Sequence, residues 1–383
     1  SITRQNNAYS QYALNDNARR AGRALDAIAG YAGPDIQPLY QALDFSAPDG
    51  STVAGALPQL SPEAYSAMAA SSLNRERQIA GQISARSQAI RRGAVVDDQW
   101  RGFAIPFGGG TSQDPRGTLI GQNASSYGVT FGAEKLDSRH PDWSWGVYGA
   151  VSGQSVNVND GLHASGRSTA FNLGLQARYA PDPASGPYLF GLGQLGIEDA
   201  HFTRRLAIDS YSAKNHADWT ALNGTLMAGG GYRWALSQSL SMGPLATLNY
   251  TRLNRPSLTE SGSDASRLQL SSSHFDSLQS SIGVSASLSL ARPSGALLTA
   301  SLQATWDREL LDNDYVQQAA FAGYPQASFT SRNKLAGRDA LGLAAGLTYE
   351  IDKNFTVGAS VNSQLFRSGY QSVSGNISLS RRF

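Results

Sequence analysis

Polar and apolar residues alternate one by one through stretch after stretch of this chain, from about residue 98 to its last residue. Along residues 373–383, Val373, Gly375, Ile377, Leu379 and Phe383 fall on one face and Ser374, Asn376, Ser378, Ser380 and Arg382 on the other. Side chains of an extended strand point to opposite faces in turn, so this segment reads as a strand with one apolar and one polar side. Phe171, Leu173, Leu175, Ala177 and Tyr179 oppose Asn172, Gly174, Gln176 and Arg178 in the same way. So do Phe355, Val357, Ala359 and Val361 against Thr356, Gly358, Ser360 and Asn362. The pattern predicts twelve strands, at about residues 98–107, 125–135, 143–155, 166–179, 187–199, 217–235, 239–253, 273–292, 295–307, 338–351, 354–366 and 371–383. A soluble sandwich alternates too, with its apolar side inward. Here the polar faces are small Ser, Thr, Asn and Gly in strand after strand, as the wall of a wet lumen requires. The expected fold is an all-β transmembrane barrel of 12 antiparallel strands, with an N-terminal α-helix threaded through the lumen.

The connections support this topology. Tight ones at residues 236–238, 292–294 and 351–353 alternate with long ones at 108–124, 200–216, 254–272 and 308–337. Antiparallel strands give that rhythm when the two barrel ends face different compartments. Trp143, Trp145, Tyr179, Tyr188, Trp234 and Trp306 fall near strand ends, where a membrane girdle is expected. The C-terminal residue is the aromatic Phe383, as is typical of outer-membrane barrels.

Residues 1 to about 92 are Ala-rich and helix-like. Residues 15–29 and 35–45 read as short helices, and 46–60 as a loop. A third helix has strong start signals: Ser61 to cap it, Pro62 in its first turn and Glu63 near its positive end. It is expected to run to about Arg91, and about 30 residues at 1.5 Å each give roughly 45 Å, enough to traverse a bilayer-height barrel. Its surface is small or polar, with only a thin apolar stripe through Met68, Leu73 and Ile79. That surface suits a helix inside a polar pore; an exposed linker helix is the alternative. Three divisions follow: 1–60, a linker or passenger end; 61–92, a pore-spanning helix; 98–383, the barrel. The candidate plug charges are Arg75, Arg77 and Arg86, against Glu134, Asp307 and Glu350 on inward strand faces or near the pore mouths, unless the arginines are simply solvated.

Composition narrows the reading further. Of 383 residues only 16% are charged, below the roughly 25% of soluble proteins, and 40 glycines help fill the deficit. Net charge is +2, which leaves no footprint for nucleic acid. Cys is absent, which removes disulfides, thiol catalysis and thiolate metal sites together. No stretch approaches the ~18 apolar residues of a transmembrane helix. The chain starts at Ser1 without a signal-like segment, so a processed or excised C-terminal piece is expected.

Several stretches resemble the translocator domain of autotransporters, the type V secretion proteins. They are the helix start Leu60-Ser61-Pro62-Glu63-Ala64-Tyr65-Ser66 with its continuation through Arg86, the strand exit Trp306-Asp307-Arg308-Glu309-Leu310, and the hairpin pair of residues 340–383. The order of a pore helix, twelve strands and a terminal Phe is similar too, over residues 57–383. One departure is Arg381, where such strands more often carry an apolar residue. The resemblance implies a monomer in the outer membrane of a Gram-negative bacterium, exporting and anchoring its own passenger domain on the extracellular side. It also implies as partners the outer-membrane barrel assembly machinery, periplasmic chaperones, lipid and lipopolysaccharide. The last strand, with Ile377, Leu379 and Phe383 on its lipid side, is the expected assembly signal.

Two other classes compete. An enzyme on a barrel, phospholipase- or protease-like, needs a Ser-His or Asp-His constellation, and a passive porin-like channel gives the helix no purpose. The five histidines (His140, His163, His201, His216 and His274) show no metal-ligand spacing, although His163 and His201 could meet on outer loops. No nucleophile elbow, phosphate loop or zinc motif occurs, and no cofactor is expected. Asn6-Asn7 is similar to the pair some autotransporters cleave inside the pore, but it lies some 55 residues before the helix, and a plain polar tail is expected.

Overall fold

The alternating segments form a ladder that returns on itself. The computed structural model describes residues 8–89 and 99–383, apart from 137, 138, 160, 183, 184, 293–295, 313, 336 and 368. Strands β1 (Trp100–Gln113), β2 (Gln122–Leu136), β3 (Trp143–Val158), β4 (Ala164–Tyr179), β5 (Gly186–Ile208), β6 (Tyr211–Ala235) and β7 (Leu240–Arg255) follow one another around the wall. After the short β8 (Leu258–Thr259) and β9 (Leu268–Leu270) comes the wall strand β10 (Ser273–Ala291), then β11 (Leu297–Glu309). The short β12 (Asp314–Phe321) and β13 (Phe329–Lys334) precede β14 (Asp339–Glu350), β15 (Phe355–Arg367) and β16 (Tyr370–Arg382). Twelve strands close the barrel as β1 pairs antiparallel with β16. Closure leaves no sheet edge in lipid, where each unpaired backbone group costs several kcal/mol.

One rim carries the start of β1, the end of β16 and the short connections; it is the turn end. The other is the cap end. Leu173, Leu175, Leu195, Leu226, Leu302 and Leu347 point outward and are exposed, forming the apolar belt. At the turn end Trp143 lies against Tyr179 with ring centroids 5.1 Å apart, and Tyr232 against Trp234 at 5.7 Å. Tyr188 does not join that girdle. It shares the inward phase of β5 with Phe190 and Leu192, is 1% exposed and lies under the guanidinium of Arg233.

The lumen is less uniformly polar than the alternation implied. Phe103, Ile105 and Phe107 of β1 point inward, because the opposite face of that strand is Gly102, Ala104, Pro106 and Gly108. They pack with Tyr148 and Leu192 on an apolar patch of the pore helix.

The cap end holds the largest departures. The region expected as a loop at 200–216 is instead a hairpin, because β5 and β6 run on to a two-residue turn at Asp209 and Ser210. Ala200, Phe202, Leu206 and Ile208 alternate there, but against His201, Thr203, Arg205 and Ala207, and the outward polar residues mask the strand. The connections at 254–272 and 308–337 form a four-stranded sheet in the order β13-β12-β9-β8. Helices α1 (Asp16–Ile28), α2 (Gln37–Asp44) and α3 (Ser51–Gln59) share one apolar core with the hairpin and this sheet. Asn15 caps α1 by accepting the Ala18 N–H at 2.8 Å. Helix α3 lies in the stretch 46–60 expected as a loop. Gly50 stands at its start with φ +76°, and Pro58 lies in its final turn.

Candidate functional site: the helix in the lumen

The functional feature is α4 (Tyr65–Gln88), which runs inside the barrel from the cap end to the turn end. Ser61 accepts the Glu63 N–H at 3.2 Å, and Pro62–Ala64 form a 3-10 turn leading into the helix. Its 24 residues span about 36 Å at 1.5 Å each. Helix geometry ends at Gln88, three residues before the expected Arg91, which lies outside the described residues. Small wall residues let the helix approach: a Cβ built on Gly166 would fall 2.4 Å from Met68 Sδ.

Three arginines fix the helix to the wall. Arg75, fully buried, donates from Nη2 to Glu198 Oε2 at 2.8 Å and to Glu76 Oε1 at 3.2 Å, and from Nη1 to Ser168 Oγ at 3.2 Å. One guanidinium thus serves two carboxylates. Neutral donors supply the rest: Glu198 accepts from Ser72, Ser168, Gln154 and Asn223, and Glu76 from Asn172 and Gln194. Two residues further along the helix Arg77 reaches Glu309 Oε2 at 2.7 Å. Nearer the turn end Arg86 reaches Glu134 Oε1 at 2.6 Å and Ser380 Oγ at 2.8 Å, with its guanidinium 4.3 Å above the Phe103 ring. Gln78 with Ser126 and Gln82 with Thr130 add neutral hydrogen bonds along β2.

At the turn end Arg233 donates to the carbonyl of Gln88, a cation on the negative end of the helix. Most wall partners lie on β2 to β6, so α4 leans to that side. Opposite, Gly81 faces open space, and a cavity of about 250 Å3 lies between the helix and residues such as Gln303 and Asn362.

The acids named from sequence fare unequally. Glu134 meets Arg86. Asp307 does not meet a helix arginine; it accepts from Thr305 and Gln364, while Arg77 pairs with Glu309, two residues on along the same inward face. Glu350 is the last residue of β14, at the turn end. Glu76, Glu198 and Glu309 were missed. Glu198 stands beside Asp199, and only the strand phase tells that the first points inward and the second outward. His201 pairs with Asp218 at 2.5 Å on the outer face of the hairpin, not with His163. Asn6 and Asn7 lie outside the described residues. Ile377 and Leu379 are exposed on the outer face, and the Phe383 N–H donates to the Trp100 carbonyl at 3.0 Å across the seam.

A closed twelve-stranded barrel with an apolar belt and a charge-gripped helix in its lumen defines an outer-membrane translocator barrel. The family model of the autotransporter β-domain matches residues 102–362, more than half of the chain, and the chain belongs to that family. Among solved structures, the translocator domain of the autotransporter NalP from Neisseria meningitidis is similar at 18% identity. It covers 82% of this chain and 97% of its own, with a TM-score of 0.62. The β-domain of the Bordetella autotransporter BrkA is similar at 16% identity, 75% and 99% coverage and a TM-score of 0.53. The transport unit of AIDA-I from Escherichia coli gives 13%, 79% and 98%, and 0.51. At these identities the likeness is one of fold. No curated protein matches the chain in sequence.

Arg75 is the most buried of the three arginines, and its loss strands two carboxylates; removing one partner of a buried pair costs about 3–5 kcal/mol. Arg75→Met is therefore expected to lower the thermal midpoint in detergent and raise single-channel conductance, both more than Arg86→Met. Equal effects of the two variants would contradict the geometry.

Proposed function

We propose that this barrel exports the polypeptide N-terminal to α4 across the outer membrane of a Gram-negative cell and keeps it anchored at the surface. The observation that carries this reading is the polarity of α4: its N-terminus lies at the cap end and its C-terminus at the turn end. Outer-membrane barrels place short turns in the periplasm and long connections outside. The turn end is then periplasmic, and everything before Tyr65 emerges outside. Helix α4 is the last part of the exported strand, held in the pore.

The protein acts as a monomer on its own passenger. Periplasmic chaperones deliver it, the barrel assembly machinery inserts it, and lipid and lipopolysaccharide surround it. The translocator role assigns no catalytic chemistry to the barrel. An epitope placed ahead of Tyr9 is expected to be cleaved by protease added to intact cells, while one in the Leu236–Ser239 region is cleaved only after the outer membrane is opened. Protection of the first would contradict the reading.

The terminal strand serves as the assembly handle. Ile377 and Leu379 give it an apolar outer row, and the Phe383 ring, 71% exposed, stands at the periplasmic rim, free for a receptor to recognise. Deleting Phe383 is expected to reduce folded protein in the outer membrane severalfold while leaving refolding of purified chain in detergent near normal. Equal losses in both assays would make Phe383 a packing residue.

A further inference from the structure

A plugged pore needs only α4, yet the chain builds a three-helix cap above it. Leu25, Ile28 and Leu57 of the cap are fully buried in the same core as Phe202 of the hairpin and Leu268 and Phe321 of the small sheet. Roughly 50 residues seldom close a core alone. The cap completes its core only by borrowing apolar surface from the barrel's own outward extension.

The polar contacts are equally shared. Asn17, 6% exposed, behaves like one more strand residue beside β13: its Nδ2 donates to the Arg332 carbonyl at 3.0 Å and its Oδ1 accepts the Arg332 N–H at 2.8 Å. Tyr324 Oη accepts the Gly33 N–H at 2.8 Å, and Gln59 Oε1 accepts the Ala207 N–H at 3.0 Å. Beneath them Arg204 holds Glu260 with Nε at 2.6 Å and Nη2 at 2.7 Å, leaving Nη1 to donate to the Gln59 carbonyl at 2.6 Å. Burial pulls the Arg204 pKa down, but the Glu260 charge outweighs it and holds it above the usual range. The cation is thus in place on barrel residues, with one donor left for the cap. Tyr65 donates to the same Glu260 at 2.7 Å, which ties the head of α4 to the cap floor.

We propose that the β5–β6 hairpin and the four-stranded sheet are a folding template for the exported chain. Residues 8–60 emerge unfolded, close their core by docking there, and then stand as a stopper against return. A single helix fits the lumen, and a three-helix unit, each helix about 10–12 Å across, is too wide to slide back. The template role rests on the export direction proposed above.

The test uses the full chain in the outer membrane with three readouts: heat-modifiable migration for the barrel, surface exposure of an N-terminal epitope for export, and protease resistance of residues 8–60 on intact cells. Leu206, 2% exposed in the shared core, is the probe. Leu206→Asp is expected to keep the barrel and the surface epitope while cleavage within 8–60 speeds up at least tenfold, and Leu206→Met to restore resistance. Unchanged resistance in Leu206→Asp, with the epitope outside, would overturn the template and leave the export reading intact. An epitope that stays inside in the unsubstituted chain would overturn both. Should Leu206→Asp fail to insert, the double variant Asn17→Ala, Tyr324→Phe asks the same question away from the barrel wall, with the same tenfold loss expected and unchanged resistance overturning the template.

Discussion

Arg75 is taken out of water midway along a lumen, and the rest of the structure is arranged around that fact. Desolvating an ion costs several kcal/mol, which is recovered only with good geometry and additional hydrogen bonds. Glu198 and Glu76 supply the charge, and Ser72, Gln154, Ser168, Asn172, Gln194 and Asn223 supply the hydrogen bonds. These partners come from α4 itself and from β3, β4, β5 and β6. A helix that slid by one turn, about 5.4 Å, would break together every one of these bonds that crosses from helix to wall: Arg75 to Glu198 and Ser168, Ser72 to Glu198, and Asn172 and Gln194 to Glu76. The buried pair is therefore better understood as a register lock than as a source of raw stability.

The wall answers the helix in two chemistries. Where β1, β3 and β5 turn Phe103, Phe107, Tyr148 and Leu192 inward, Ile79 and Ile83 of α4 pack on them; elsewhere glutamines and serines line up. The inward turn of the β1 aromatics leaves a lipid face of Gly102, Ala104, Pro106 and Gly108, poor in apolar bulk. At the seam with β16, Ala104 pairs with Leu379 and Phe107 with Asn376, while Ile105 and Pro106 have no register partner between them. Proline lacks the N–H a ladder needs. The strand that lends two inward aromatic rings to the helix patch is thus also the one whose pairing with β16 is interrupted.

Legibility from sequence followed the strength of local signals. The strands were readable because lipid on one side and a lumen on the other impose a period of two. The outer hairpin was not, since its outward residues are mostly polar and its inward ones meet helices that no strand pattern announces. Tyr188 looked like a girdle residue by position and is a lumen residue by phase. That Arg86 and Arg77 sit on a plug was readable from a helix with only a thin apolar stripe; that Arg77 takes Glu309 and passes over Asp307 depends on helix rotation. The cap helix α3 was hidden by Gly50 and Pro58, whose breaker character is real but falls at the helix ends.

The central claim is that α4 is held in register by the energetic coupling of Arg75 to Glu198. A double-mutant cycle of Arg75→Met, Glu198→Gln and their combination, followed by equilibrium unfolding in detergent, measures that coupling directly. The account expects a coupling energy on the order of 1–3 kcal/mol, with the double variant less destabilised than the sum of the singles. Strict additivity of the two substitutions would contradict it.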